Sequence, residues 1–407
     1  MTALTSPVVW HRKAQSNLSM GLTALPPLSL YIHLPWCLRK CPYCDFNSHA
    51  LGAAGLDAAT QKSYIDTLLL DLEAALPLVW GRTVHTVFMG GGTPSLFEPD
   101  EIDRLLAGVR ARLRLQPQAE ITLEANPGTF ERDRFKHYAA AGVTRLSVGV
   151  QSFHDEALQR IGRIHSGQQA REALAEAAET FDTWNMDLMY ALPGQSVADL
   201  QAELSTALAF DPPHLSIYHL TLEPNTAFAR QPPPHVPDDD TAYDMLDLLI
   251  EKASAAGLQR YEVSAFAQEG HRCDHNLNYW QFGDYLGIGA GAHSKLSFHD
   301  HIERQVRWRE PQQYMRQAQQ GAAISNTHVL SADVLPFEFM LNALRLTQGF
   351  STLDWVERTG LSLQAITPTL AQAQAKGLLH HQAGRIMPTP KGLDFLSDLQ
   401  AMFLQDA

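Results

Sequence analysis

From residue 28 to residue 257 the chain repeats one pattern: a short β-branched or aromatic run, a polar or glycine-rich stretch, then apolar residues at helical spacing. Strands are expected at Leu28–Leu34, Val84–Met89, Ala119–Leu123, Arg145–Val150, Trp184–Met189 and Leu215–Leu220. Helices are expected at Leu56–Leu76, Asp100–Leu113, Glu131–Ala141, in two pieces ending at Leu158 and Ala177, and at Val197–Phe210 and Thr241–Ala256. Strands alternating with helices imply a parallel sheet with right-handed crossovers. Six such units are too few for a closed eightfold barrel. The expected fold is therefore α/β, a partial (β/α)6 barrel spanning residues 28–300.

The flanks read differently. Residues 1–27 mix small, polar and basic side chains without period and are expected to form a loose leader, with a transit peptide as the rival reading. From about Ser331 helical stretches precede a short strand at Arg385-Ile-Met and a last helix from Lys391, so residues 301–407 are expected to hold a small, mostly helical winged-helix-like domain. Such domains bind DNA elsewhere, but 31 basic against 44 acidic residues give a net charge of −13, which argues against a nucleic-acid partner. No uncharged apolar run reaches the ~18 residues of a membrane span, although peripheral docking at a membrane needs none. A secretory signal is also missing, and four cysteines in 407 residues exclude a disulfide scaffold, so a reducing cytoplasm is expected.

In barrel enzymes the chemistry sits where strands end, and here the unusual residues follow strands. The first is followed by Cys37-Leu-Arg-Lys-Cys41-Pro-Tyr-Cys44, the second by Gly90-Gly91-Gly92-Thr93, the third by Glu124-Ala-Asn-Pro-Gly. The fourth ends in Gly149-Val-Gln151-Ser and the fifth carries Asp187. Thiolates prefer soft metals and iron–sulfur clusters. Three on one loop can hold three irons of a [4Fe–4S] cube and leave the fourth open to a ligand. A zinc site completed by His33 or His49 is the alternative, although no second C-x2-C knuckle is present.

This C-x3-C-x2-C spacing after the first strand of a βα array resembles the radical SAM superfamily. That resemblance implies S-adenosylmethionine (SAM) bound through its amino and carboxylate groups at the open iron and cleaved by one electron to a 5′-deoxyadenosyl radical. Tyr31-Ile-His-Leu-Pro-Trp-Cys37, GGGTPS, Glu124-Ala-Asn-Pro-Gly, Asp187-Leu-Met-Tyr-Ala-Leu-Pro-Gly-Gln195 and His275-Asn-Leu-Asn-Tyr-Trp280 together look like the coproporphyrinogen III oxidase branch, from about residue 28 to the C-terminus. The resemblance implies that Tyr31, Tyr43, Gly91, Gly92, Thr93, Glu124, Gln151, Arg163 and Asp187 line the SAM site. Carboxylates there can accept from amino and hydroxyl groups, and an arginine can pair a carboxylate.

One position departs from the oxidases, which resemble C-x3-C-x2-C-x-C. Here the last place is Phe46. The C-x-F form, with His275-Asn-Leu-Asn-Tyr-Trp280, is similar to the HemW-type heme chaperones of the same branch. That similarity implies heme as a third bound group, respiratory hemoproteins as its acceptors, an electron donor for the cluster, and no oxidase activity. His275 is the heme-associated residue so implied, since imidazole is a common axial ligand. His219, His293 and Cys273 are lesser candidates. A porphyrinogen oxidase and a radical SAM methyltransferase stand as alternatives.

Overall fold

A computed structural model describes residues 21–52, 55–129 and 133–404 of the chain. Twelve strands form one sheet: β1 (Leu28–Leu34), β2 (Thr83–Gly91), β3 (Arg114–Ala125), β4 (Arg145–Gln151), β5 (Thr183–Tyr190), β6 (His214–His219), β7 (Gln259–Arg260), β8 (Ala265–Ala267), β9 (Asp284–Ile288), β10 (His293–Ser297), β11 (Ile302–Arg307) and β12 (Ile324–Leu330). Their order is β12-β11-β10-β9-β1-β2-β3-β4-β5-β6-β8-β7. The six expected strands lie side by side in chain order and pair in parallel. Helices cover the outside, so the central strands are buried on both faces. β1 buries six of its seven residues, and Leu30, Ile32 and Leu34 are fully enclosed.

The crossover helices begin where their sequences provide caps. Asp57 accepts from the Thr60 amide ahead of the helix Ala58–Ala75. Ser166 with Gln169, and Ser196 with Asp199, form reciprocal capping boxes ahead of Gly167–Thr180 and Val197–Leu208. The expected helix at Glu131–Ala141 is present as Arg134–Ala141; residues 131 and 132 lie outside the described residues.

Three features differ from expectation. A seventh parallel strand, β9, pairs with β1 from Leu28↔Asp284 to Ile32↔Ile288. The sheet then continues through antiparallel β10, β11 and β12 as far as Leu330. A boundary at residues 300 and 301 therefore falls within a strand hairpin. Finally, of the expected loose leader 1–27, residues 1–20 lie outside the described residues, but residues 21–27 are fixed. Leu22 is buried in the C-terminal core and donates its amide to His299 O. Arg82 donates to Pro26 O, and the Asp284 amide donates to Pro27 O.

Beyond Leu330 the order is helix (Leu335–Ala343), strand (Phe350–Ser351), two helices (Thr352–Thr359, Thr367–Ala375) and a hairpin (Leu379–Gln382, Arg385–Pro388), the winged-helix succession. Its core centres on Phe339 and Trp355, both fully buried and edge-on at 5.2 Å. This unit packs against the sheet through Phe282 on Phe339 and through Arg345 on Glu262 at 2.9 Å.

Candidate functional site

The ends of β1 to β6 surround a cavity of about 500 Å³. Cys37, Cys41 and Cys44 form part of its wall, all half-buried and none in a disulfide. Their loop is stapled at its base, where Trp36 and Cys37 pair with His49 and Ala50. Asn47 extends the staple by donating to Ala290 O at 2.9 Å and Arg309 O at 2.8 Å. Arg163 places Nη1 3.9 Å from Cys41 Sγ. Burial pushes the Cys37 and Cys44 thiols up.

Beside the base of the loop lies the glycine run at the end of β2, where the Gly92 and Thr93 amides donate to Leu34 O and Trp36 O. Gly91 has φ +114°, a conformation closed to other residues, and an added Cβ would meet the His33 ring at 2.3 Å. Its amide donates to Glu124 Oε2 at 3.1 Å. Glu124 on β3 and Asp187 on β5 stand on either side of β4, and both line the cavity. Burial, and then the charge of Asp187, raises the Glu124 carboxyl to about 8. Asp187 is raised too, by burial, although Asn185 (2.8 Å) and Ser147 (3.0 Å) donate to it. Two carboxyls raised by burial suit a ligand bearing N–H donors and positive charge. Thr122 Oγ1 and Arg163 Nε are buried without a hydrogen-bond partner in the same wall, as expected of groups that wait for a ligand.

All the expected site residues line this cavity except Tyr31 and His275. Tyr31 lines a second cavity of about 400 Å³ that shares Asp45, Phe46, Gly91 and Glu124 with the first; its hydroxyl meets His33 Nδ1 at 2.9 Å. His275 lines neither. It is 1% exposed, with Nδ1 2.8 Å from Thr86 Oγ1 and Nε2 3.0 Å from Tyr279 Oη, and its ring stacks on Phe88. Both nitrogens are engaged and the ring lines neither cavity, so the structure does not bring His275 together with the other expected site residues. The segment Asp274–Trp280 is a helix whose first amides donate to Glu120, and it braces the sheet. Cys273 is likewise 3% exposed, beside Glu120.

The cavity floor was not anticipated from the sequence. Ser147, Asn185, His214 and Ser216 form a hydrogen-bonded net under Asp187, and His214 Nε2 reaches Tyr261 Oη at 2.8 Å. A signal does exist for it. Thr122/Glu124, Ser147/Gly149/Gln151, Asn185/Asp187 and His214/Ser216/Tyr218 are polar or small at every second position of strands otherwise apolar, the period of one sheet face.

Among the described residues, no group of three or more His, Cys, Asp or Glu side chains is arranged to hold a metal ion. A cube whose irons each take one thiolate is a larger body, and three half-buried thiols along one cavity wall suit it. Parallel strands, a three-cysteine loop beyond the first and a glycine run beyond the second define a radical SAM protein. Residues 31–207 match the Radical SAM superfamily and residues 330–395 the HemN C-terminal domain. The chain is 46% identical over 387 residues to the heme chaperone HemW of Escherichia coli (strain K12), covering 95% of this chain and 100% of that one. It is 42% identical to the heme chaperone HemW of Haemophilus influenzae over 388 residues, 94% of this chain and 99% of that one. Among solved structures it resembles the coproporphyrinogen III oxidase HemN from Escherichia coli, a radical SAM enzyme, with a TM-score of 0.78 and 25% identity over 93% of this chain and 90% of that one. The chain belongs to the HemW family of radical SAM proteins.

Proposed function

We propose that this chain is a heme chaperone: it binds heme and passes it to respiratory hemoproteins, using a [4Fe–4S] cluster and SAM held on its radical SAM domain. The observation that carries this reading is likeness over the whole chain to curated heme chaperones. Phe46 supports it, standing where the similar oxidases carry a fourth cysteine. Cys37, Cys41 and Cys44 supply the cluster thiolates, and Arg163 steadies their charge. Gly91, Gly92 and Thr93 bring backbone close to the amino end of SAM, and Glu124 accepts from that amino group. Gln151 and Asp187 offer partners to its polar groups, and Tyr43, on the cluster loop itself, anchors that loop against the apolar cluster of Ile161, Met189, Leu192, Leu220 and Phe228. When bound, cluster and SAM supply one-electron chemistry that no side chain offers. The cytoplasm is the proposed compartment, with an electron donor and the heme acceptors as partners; no described helix is long and apolar enough to cross a membrane.

Anaerobic reconstitution followed by heme titration tests the proposal. One heme per chain with a shifted Soret band is expected. Conversion of coproporphyrinogen III to protoporphyrinogen IX by the same sample, or no stoichiometric heme uptake, would overturn it.

Glu124 makes a second expectation measurable. Its carboxyl must ionise to accept well, so its contribution to SAM binding grows as pH rises towards about 8 and levels off above. A charge-assisted hydrogen bond is worth about 1.5–3 kcal/mol, so Glu124→Gln should weaken SAM binding about tenfold or more at pH 8.5. Equilibrium dialysis of parent and variant from pH 6.5 to 9 cancels the titration of SAM itself. A parent-to-variant affinity ratio that does not change with pH would count against this role.

A further inference from the structure

The cysteine loop faces two ways. All three of its thiols line the main cavity, but Cys41 also lines a separate shallow cleft, built largely of Leu38, Arg39, Gly162, Arg163 and Ile164. Gly162 makes this cleft possible. It follows the helix Asp155–Arg160 with φ +73°, and an added Cβ would meet Pro42 Cδ at 2.6 Å, so the turn closes directly on the cysteine loop. That closure sets Arg163 beside Cys41 and leaves Ile164 47% exposed. Arg39 is exposed at the rim shared with the main cavity, and its guanidinium has no hydrogen bond or ion pair among the described residues. Lys40 is exposed beside it, with Nζ held 2.9 Å from Phe46 O.

The lining of the cleft holds two arginines and no carboxylate, in a chain whose net charge is −13. The loop's own carboxylate, Asp45, lines the two cavities instead, and Glu156 on the preceding helix is paired with Arg160 at 3.2 Å. A cationic spot on an acidic protein admits an acidic partner in one orientation, since the two molecules repel elsewhere. Leu38 and Ile164 add the apolar contact that a docking surface needs at its centre. Electron tunnelling falls off steeply with distance, so a donor protein gains most where a sulfur lies next to the surface it covers. We infer that a small acidic one-electron carrier protein docks on this cleft and passes its electron to the cluster through Cys41. This rests on the cluster assignment above and deepens it by naming where the electron enters. With a flavin carrier, the anionic hydroquinone gives up one electron and becomes the neutral semiquinone, while the cluster goes from 2+ to 1+. No bond forms or breaks, and no proton moves.

The test mixes the full-length, cluster-loaded chain anaerobically with an acidic flavodoxin in its hydroquinone form and follows semiquinone absorbance and the paramagnetic signal of the reduced cluster. Oxidised flavodoxin, which transfers nothing, gives the affinity by calorimetry. The parent should be reduced faster at low salt, with a steep fall between about 50 and about 500 mM. Arg39→Glu should slow reduction and weaken association about tenfold at low salt and flatten the salt dependence. Ile164→Asp should slow reduction severalfold. Both variants should keep the parent's iron and sulfide content and its rate with dithionite, which separates lost docking from a lost cluster. Parent-level rate and affinity in Arg39→Glu, or the loss appearing in Arg309→Glu at the second cavity instead, overturns the assignment. So does a parent reduced no faster by flavodoxin than by free flavin hydroquinone. A parent dimer that Arg39→Glu splits without slowing reduction would give the face to a second copy and also overturn it. Each of these leaves the cluster reading standing, whereas a parent with no cluster for dithionite to reduce overturns both.

Discussion

Alanine in place of any one of Cys37, Cys41 or Cys44 is expected to abolish stable [4Fe–4S] loading, taking iron and acid-labile sulfide from a full cluster per chain to background after anaerobic reconstitution. On the proposed assignment each thiolate serves one iron, and the described residues around the loop include no further thiol to replace a lost one. Cys273 is the remaining cysteine on the cavity wall, enclosed at 3% exposure against Glu120, and burial pushes its thiol upward. Cys273→Ala should therefore keep its cluster. The cysteine variants should still fold. The loop is held by the pairing of Trp36 and Cys37 with His49 and Ala50 and by Asn47, none of which uses a sulfur atom. A Cys41→Ala protein with full iron content would refute the ligand assignment.

The largest effect on stability is expected at Asp284. This carboxylate is fully buried at the start of β9, 3.0 Å from Lys295 Nζ and 2.8 Å from Arg82 Nη1, and it accepts from the Ser297 amide and hydroxyl. Burial by itself would raise its carboxyl, but Lys295, Arg82 and Ser297 hold it below the ordinary carboxylate range. Asp284→Ala would leave a buried ammonium without its counterion, at a cost of about 3–5 kcal/mol. A typical domain is stable by only about 5–15 kcal/mol, so much of the margin would go. The urea midpoint should fall sharply. Asp284→Ala combined with Lys295→Met should recover part of the loss, since the stranded charge goes too. The pH dependence follows from the lowered native value. The stabilisation is fully present above the unfolded carboxyl's value near 3.9, and it is lost as pH falls through the lower native one. A variant unfolding at the parent's urea concentration would show that the triad adds nothing.

The six strand–helix units were legible because each is local: a run of Leu, Ile and Val, a cap and a helical period lie within about forty residues of one another. β9 was not. Asp284-Tyr-Leu-Gly-Ile is short, carries a glycine, and acquires its strand character from partners at residues 28–32. β10 and β11 were hidden for a related reason. Lys295 and Arg307 read as surface residues, yet both are buried through pairing with Asp284 and Asp71 that no local pattern shows. At the site, spacing revealed the cysteines and strand order located Glu124 and Asp187. For His275 the motif names a side chain and not the company it keeps. Its two nitrogens are consumed by Thr86 and Tyr279, residues distant or ordinary in sequence. Leu22 shows the same limit at the N-terminus, where its burial depends on a core built from residues 282 to 403.

The clamp on the cysteine loop also sets an order of events during synthesis. Asn47 is tied to Ala290, 243 residues downstream, and to Arg309, 262 downstream, while β1 lies between β2 and the late strand β9. As the nascent chain leaves the ribosome, the three thiols emerge well before the backbone that fixes their loop. Long-range closures of this kind form slowly. For that interval the loop has only its local pairing at residues 36, 37, 49 and 50 and lacks the clamp through Asn47.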